Sequence, residues 1–90
     1  MRKFSIEDSL KKTILKLSKR DKAMYEALMG KINEVLTCQD VNHYKNLKKP
    51  LEDYKRVHIK GHFVLLFKYL SSEDSVLFYD FDHHDKIYGN

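Results

Sequence analysis

Tyr54-Lys55-Arg56-Val57-His58-Ile59-Lys60-Gly61-His62-Phe63-Val64-Leu65-Leu66-Phe67-Lys68-Tyr69 decides the fold. Its first six residues alternate. Val57 and Ile59 fall on one side of a strand, and Tyr54, Arg56 and His58 fall on the other. Lys60-Gly61 reads as a two-residue turn, with glycine supplying a positive φ. Phe63 to Tyr69 is apolar at nearly every position, the pattern of a central strand covered on both faces. With so short a turn, Phe63 and Leu65 would share the face of Arg56 and His58. The facing of the hairpin is therefore left open at this point.

Downstream, Ser71 to Asp74 reads as a turn and Val76 to Phe81 as a third strand. That strand runs into the segment Asp80-Phe81-Asp82-His83-His84-Asp85. Upstream, the periodicity changes from two to that of helices. Ser5-Ile6-Glu7-Asp8 fits a capping pattern, and Leu10, Ile14 and Leu17 follow as one apolar stripe. A second such pattern, Ser18-Lys19-Arg20-Asp21, predicts a tight corner and a new helix with the stripe Met24, Leu28, Ile32 and Val35. Gly30 lies inside that helix, at a cost of about 1 kcal/mol relative to alanine. Residues 2 to 6 read as a short edge strand, Thr37 to Asn42 as a polar loop, and Lys45 to Asp53 as an exposed basic connection holding Pro50.

The expected fold is α+β in the order β-α-α-β-β-β. A short N-terminal strand and a helical hairpin pack on a small antiparallel sheet. One face of that sheet is covered by the helices. The other is at least partly open and carries Tyr54, Arg56 and His58. Ninety residues make a single domain, 1–90, with one thin core.

Composition narrows the function classes. Lysine and arginine number 17 against 13 acids, a net charge of +4, which favours an anionic partner without identifying it. Cys38 is the only cysteine, so neither an internal disulfide nor a four-cysteine zinc site is available. Met1-Arg2-Lys3-Phe4 runs into Glu7 and Asp8 with no apolar stretch behind it, unlike a signal peptide. The longest apolar run, Phe63 to Phe67, is far too short to span a membrane. A cytoplasmic location is expected.

Order and motifs together resemble the RelE/ParE toxin superfamily, and most closely its YafQ-like branch. The resemblance is carried by Lys45-Asn46-Leu47-Lys48-Lys49-Pro50-Leu51, by Tyr54 to Ile59, by Phe63 to Phe67, and by the tail His83-His84-Asp85-Lys86-Ile87-Tyr88-Gly89. It implies a type II toxin that cleaves messenger RNA on the ribosome by metal-independent acid–base chemistry, with a small antitoxin protein as partner. It implies catalytic roles for His84, His58, Arg56 and Tyr88. Lys45, Lys48 and Lys49, with His62 and His83 nearby, are the groups expected to meet RNA. Two positions depart from the family pattern. Asp82 stands where RelE carries an arginine, and His62 stands where YafQ-like proteins carry an acid.

The residue types suit that chemistry. RNA supplies its own nucleophile, the 2′-hydroxyl. Cleavage then needs a base for that hydroxyl, an acid for the leaving 5′-oxygen and a cation on the phosphate. Histidine serves the first two roles and arginine the third. Which of His58 and His84 is the base is left open. On spacing alone both are ordinary surface histidines, Arg56 is a salt-bridge partner, and Tyr88 packs the tail. His83, His84, Asp82 and Asp85 include metal-ligand types, but adjacent strand residues point to opposite faces, so no metal or other cofactor is expected. Two alternatives remain: a ParE-type inhibitor of DNA gyrase, and an inactive RNA- or protein-binding member of the fold.

Overall fold

The computed structural model describes residues 1–88. The elements are β1 (Lys3–Ile6), α1 (Asp8–Arg20), α2 (Lys22–Thr37), a single 3₁₀ turn (Val41–His43), β2 (Lys55–Ile59), β3 (Phe63–Leu70), β4 (Ser75–His83) and α3 (His84–Tyr88). The expected α+β order is present, with α3 added where the sequence suggested only the end of a strand. Gly89, the last residue of the tail motif, lies outside the described residues.

The sheet order is β1-β4-β3-β2. β2, β3 and β4 pair antiparallel, as expected, but β1 pairs parallel with β4, so the sheet is mixed rather than wholly antiparallel. A parallel neighbour cannot be joined by a hairpin. Here both helices and two strands intervene before the chain returns beside β1.

Both helix starts lie later than the capping patterns suggested. α1 begins after Glu7, with no side-chain cap. The corner between the helices is made by Asp21, whose carboxylate accepts from the Met24 N–H at 3.1 Å. Ser18 lies within α1, where its hydroxyl donates to the Leu15 carbonyl at 2.6 Å. The stripes themselves are as predicted. Leu10 from α1 and Met24, Leu28, Ile32 and Val35 from α2 are buried against Ile59, Leu65, Phe67, Val76, Phe78 and Phe81 of the sheet. Each such side chain contributes roughly 1.5–3 kcal/mol on burial. Val41, in the segment read as a polar loop, is also buried in this core.

The hairpin between β2 and β3 differs from the two-residue expectation. Ile59 pairs with Phe63, so the loop is Lys60, Gly61 and His62. Lys60 and Gly61 have φ of 52° and 79°, and the His62 N–H donates to the Lys60 carbonyl at 2.9 Å. A one-residue change in loop length exchanges the faces of a strand. Phe63 and Leu65 therefore lie on the helix side with Val57 and Ile59, while Val64 and Leu66 stand beside His58 and Arg56.

Val64 and Leu66 are covered in turn by Leu47, which is buried although it sits among lysines in the basic connection. Leu51, Tyr54 and Ile87 complete this second apolar cluster. Two contacts anchor the start of the connection. The Tyr44 hydroxyl donates to the Glu34 carboxylate of α2. Lys55, a residue only 7% exposed, donates from its ammonium to the Tyr44 carbonyl at 3.1 Å and to Asn46 Oδ1 at 2.9 Å. At the far end of the sheet Arg2 donates to the Cys38 carbonyl at 2.5 Å and to Asp74 at 2.8 Å, tying β1 to the end of α2 and to the β3–β4 turn.

β4 changes register partway. Leu66 pairs with Asp80 but Phe67 pairs with Phe78, which leaves Tyr79 as an extra, bulged residue. Before the bulge Val76 and Phe78 face the helices. After it Phe81 does so, and Asp80 and Asp82 turn to the side of Leu66 and Val64.

Candidate active site

The side chains of interest converge because β2 and β4 flank the same strand. Arg56 and His58 project from β2 on the side away from the helices, next to Leu66 and Val64. β4 ends at His83 and turns into α3. The His84 N–H, at the first residue of α3, donates to the His62 carbonyl at 2.7 Å and latches this corner to the hairpin loop. Ile87 packs α3 against the Leu47 cluster.

The result is a cleft of about 530 Å³ lined by Arg56, His58, His84, Tyr88 and the basic connection, including Lys48 and Lys49. The His58 and His84 rings lie 6.0 Å apart, centroid to centroid, and 28° from parallel. Tyr88 meets His84 edge-on at 4.6 Å. Arg56 Nη1 lies 3.4 Å from His58 Nδ1. His58 has its pKa lowered, first by partial burial, then by the charge of Arg56 and by His84. His58 is thus neutral at pH 7 and able to accept a proton. His84 Nδ1 lies 3.5 Å from Asp85 Oδ1, and His83 Nδ1 lies 3.8 Å from the other oxygen of the same carboxylate.

All four residues expected to be catalytic therefore border one cleft. The residues expected to meet RNA divide. Lys48 and Lys49 line the cleft, whereas Lys45 is exposed beside it and uses its carbonyl to accept from the Arg56 N–H at 3.1 Å. His62 and His83 stack on each other outside it, with centroids 6.0 Å apart and rings 1° from parallel, and His83 meets Phe63 edge-on. His83 and His84 diverge because one ends the strand and the other starts a helix. Asp82 faces the same side as His58 across Val64, but one of its oxygens accepts from the His83 N–H at 2.7 Å and its side chain does not line the cleft.

Sequence reasoning passed over Leu47, Leu51 and Ile87, which build the cleft wall and floor. Leu47 carried a signal, being an apolar residue isolated in a run of lysines. Asp85 as the neighbour of His84 carried none, because its role depends on the turn into α3.

Comparison with known proteins follows the same line. A protein of Methanocaldococcus jannaschii described as "Putative toxin RelE4" is 49% identical over 88 residues, covering 98% of this chain and 92% of its own. The chain belongs to the RelE toxin family. An uncharacterized protein of Methanosarcina mazei is 43% identical over 83 residues, spanning 92% of this chain and 94% of its own. No protein-family model matches the chain. Among solved structures, the isolated Escherichia coli RelE toxin superposes with a TM-score of 0.67 at 16% identity, covering 92% of this chain and 84% of its own. Escherichia coli YafQ superposes with a TM-score of 0.65 at 20% identity, covering 99% and 100%. At these identities the two structures establish the RelE fold alone.

In this RelE-family chain the cleft combines a neutral imidazole beside a fixed cation, a second imidazole within one phosphodiester's span, an aromatic ring at the rim and lysines along one wall. Such a set can hold a phosphate, remove one proton and return another. No helix among the described residues is long and apolar enough to cross a membrane.

Proposed function

We propose that this RelE-family toxin is a ribosome-dependent endonuclease that cuts messenger RNA and so stops translation. The observation that carries the reading is the approach of His58 and His84 to 6.0 Å beside Arg56 in one cleft. One imidazole removes the proton from the 2′-hydroxyl, which attacks the adjacent phosphorus. The bond to the 5′-oxygen breaks, and the other imidazole protonates that oxygen. Arg56 holds the charge that gathers on the phosphate, and Tyr88 holds a base at the rim. These steps run on the chain's own residues. The cellular partners under this reading are the ribosome with its messenger RNA, in the cytoplasm, and a cognate antitoxin that silences the toxin.

The test is a cell-free translation reaction in which cut sites are mapped on the message. Wild-type protein is expected to halt synthesis and leave discrete 3′ ends. His58→Ala and His84→Ala, each folded by circular dichroism, are expected to do neither. Inhibition of DNA gyrase that survives both substitutions would instead support a ParE-type activity. Silence in both assays would support a binding protein without catalysis.

A further inference from the structure

The sheet face that carries Arg56 and His58 does not end at the cleft. Its apolar floor, Leu47, Val64 and Leu66, is capped at one end by Ile87 beneath the cleft and extends at the other to Tyr54. Tyr54 in turn packs on Tyr79, the bulged residue of β4, with ring centroids 4.8 Å apart and planes 35° from parallel. Tyr79 is 39% exposed. The bulge is what releases it from the ladder and lets it meet a ring that comes from the opposite strand.

We infer that the Tyr54–Tyr79 pair, beyond the cleft on the same sheet face, is a second subsite, which stacks a nucleobase of the single-stranded RNA several nucleotides from the bond that is cut. This inference rests on the proposed RNA cleavage. Tyr54 precedes His58 by four residues, about 13 Å along an extended strand at roughly 3.3 Å per residue. A stacked strand advances about 3.4 Å per nucleotide, so about four nucleotides bridge the two places, and fewer if the strand is stretched. Arg56 lies between them on the same face, where a backbone phosphate would pass. Asp80 and Asp82 lie along β4, on the far side of Leu66 and Val64. They keep phosphates on the β2 side, while a base, carrying no charge, can reach across to Tyr79. Aromatic rings accept any base by stacking, so the subsite adds affinity and register without dictating sequence.

A tyrosine pair could also serve only to hold β2 and β4 together across β3. An abasic scan separates the roles. Oligoribonucleotides of about ten nucleotides, with a 2′-deoxy sugar blocking the cut, carry one abasic position at a time on either side of that sugar. Affinity is read by fluorescence anisotropy. Wild type is expected to lose about 5- to 150-fold at one position two to four nucleotides from the blocked bond, the range that stacking one base supplies. Tyr79→Ala is expected to bind the intact oligonucleotide as weakly as wild type binds that abasic one, and to be indifferent to the abasic position. Tyr79→Phe should behave as wild type. A wild-type profile flat at every distant position, in protein that still cuts messenger RNA on ribosomes, overturns the subsite alone. So does a Tyr79→Ala variant that keeps the abasic penalty. Wild type that neither cuts nor binds RNA overturns the nuclease reading and the subsite together.

Discussion

His58 and His84 face each other at 6.0 Å although their strands are not neighbours. β3 lies between them, and His84 meets His58 from the corner where β4 passes into α3. The latch from the His84 N–H to the His62 carbonyl fixes that turn. Replacing either imidazole by alanine should lower the rate of message cleavage by about 10²–10⁴-fold. The double variant should lose less than the product of the two, as groups that act as a unit do. Single-turnover cleavage on programmed ribosomes measures both.

The titration of His58 gives a second expectation. Its pKa lies below the ordinary histidine value, with burial as the largest cause and the Arg56 charge next. An unfolded histidine titrates near 6.5. Between the two midpoints the unfolded chain holds more protons, so stability rises with pH across that window and falls as pH drops through it. Arg56→Gln should move the His58 midpoint upward but not fully to the unfolded value, because burial remains. Proton–carbon NMR of the imidazole signals reads both midpoints.

Lys48 and Lys49 wall the cleft as exposed cations, so their contribution should be electrostatic. Lys48→Gln and Lys49→Gln are each expected to weaken RNA binding across all sequences and to reduce the slope of log affinity against log salt by about one. Anisotropy titrations at several salt concentrations give the slopes.

Lys55 is buried but donates to two oxygens of the connection that forms the cleft wall. Lys55→Met removes the donors while keeping most of the volume. It should cost about 1–3 kcal/mol and raise amide exchange in residues 44 to 54 more than in α2. Leaving the helices intact while loosening that segment should depress RNA cleavage without altering Arg56, His58, His84 or Tyr88 themselves.

Phe67 is fully buried where the core meets both helices and sheet. Phe67→Ala should cost about 3–5 kcal/mol, a large part of the stability of a domain this small. Urea denaturation measures the loss.

The two helical stripes and the three antiparallel strands were legible in the sequence because hydrophobic period alone specifies them. The pairing of β1 was not, since a four-residue strand carries no mark of its direction. The hairpin faces stayed open because they depend on one residue of loop length: a two-residue turn at Lys60-Gly61 would put Leu65 where Leu66 stands, and the loop takes in His62 as well. The four cleft residues were legible through family resemblance, not through spacing. His62 and His83 carry the same chemistry as His58 and His84. Only the three-dimensional turn at His84 tells the pairs apart.

Tyr79 bears on a different question, how one strand can serve two environments. Val76 and Phe78 belong in oil, and so does Phe81, three positions on from Phe78 in a structure that alternates by twos. The spare residue absorbs the mismatch of parity. Pressing Tyr79 flat into the ladder would force β4 either to drive the carboxylates of Asp80 and Asp82 in among the helices or to strip Val76 and Phe78 out of them. Deleting Tyr79 instead leaves an unbroken alternation from Val76 to Asp82, so the fold should survive that deletion better than the insertion of one more residue beside it.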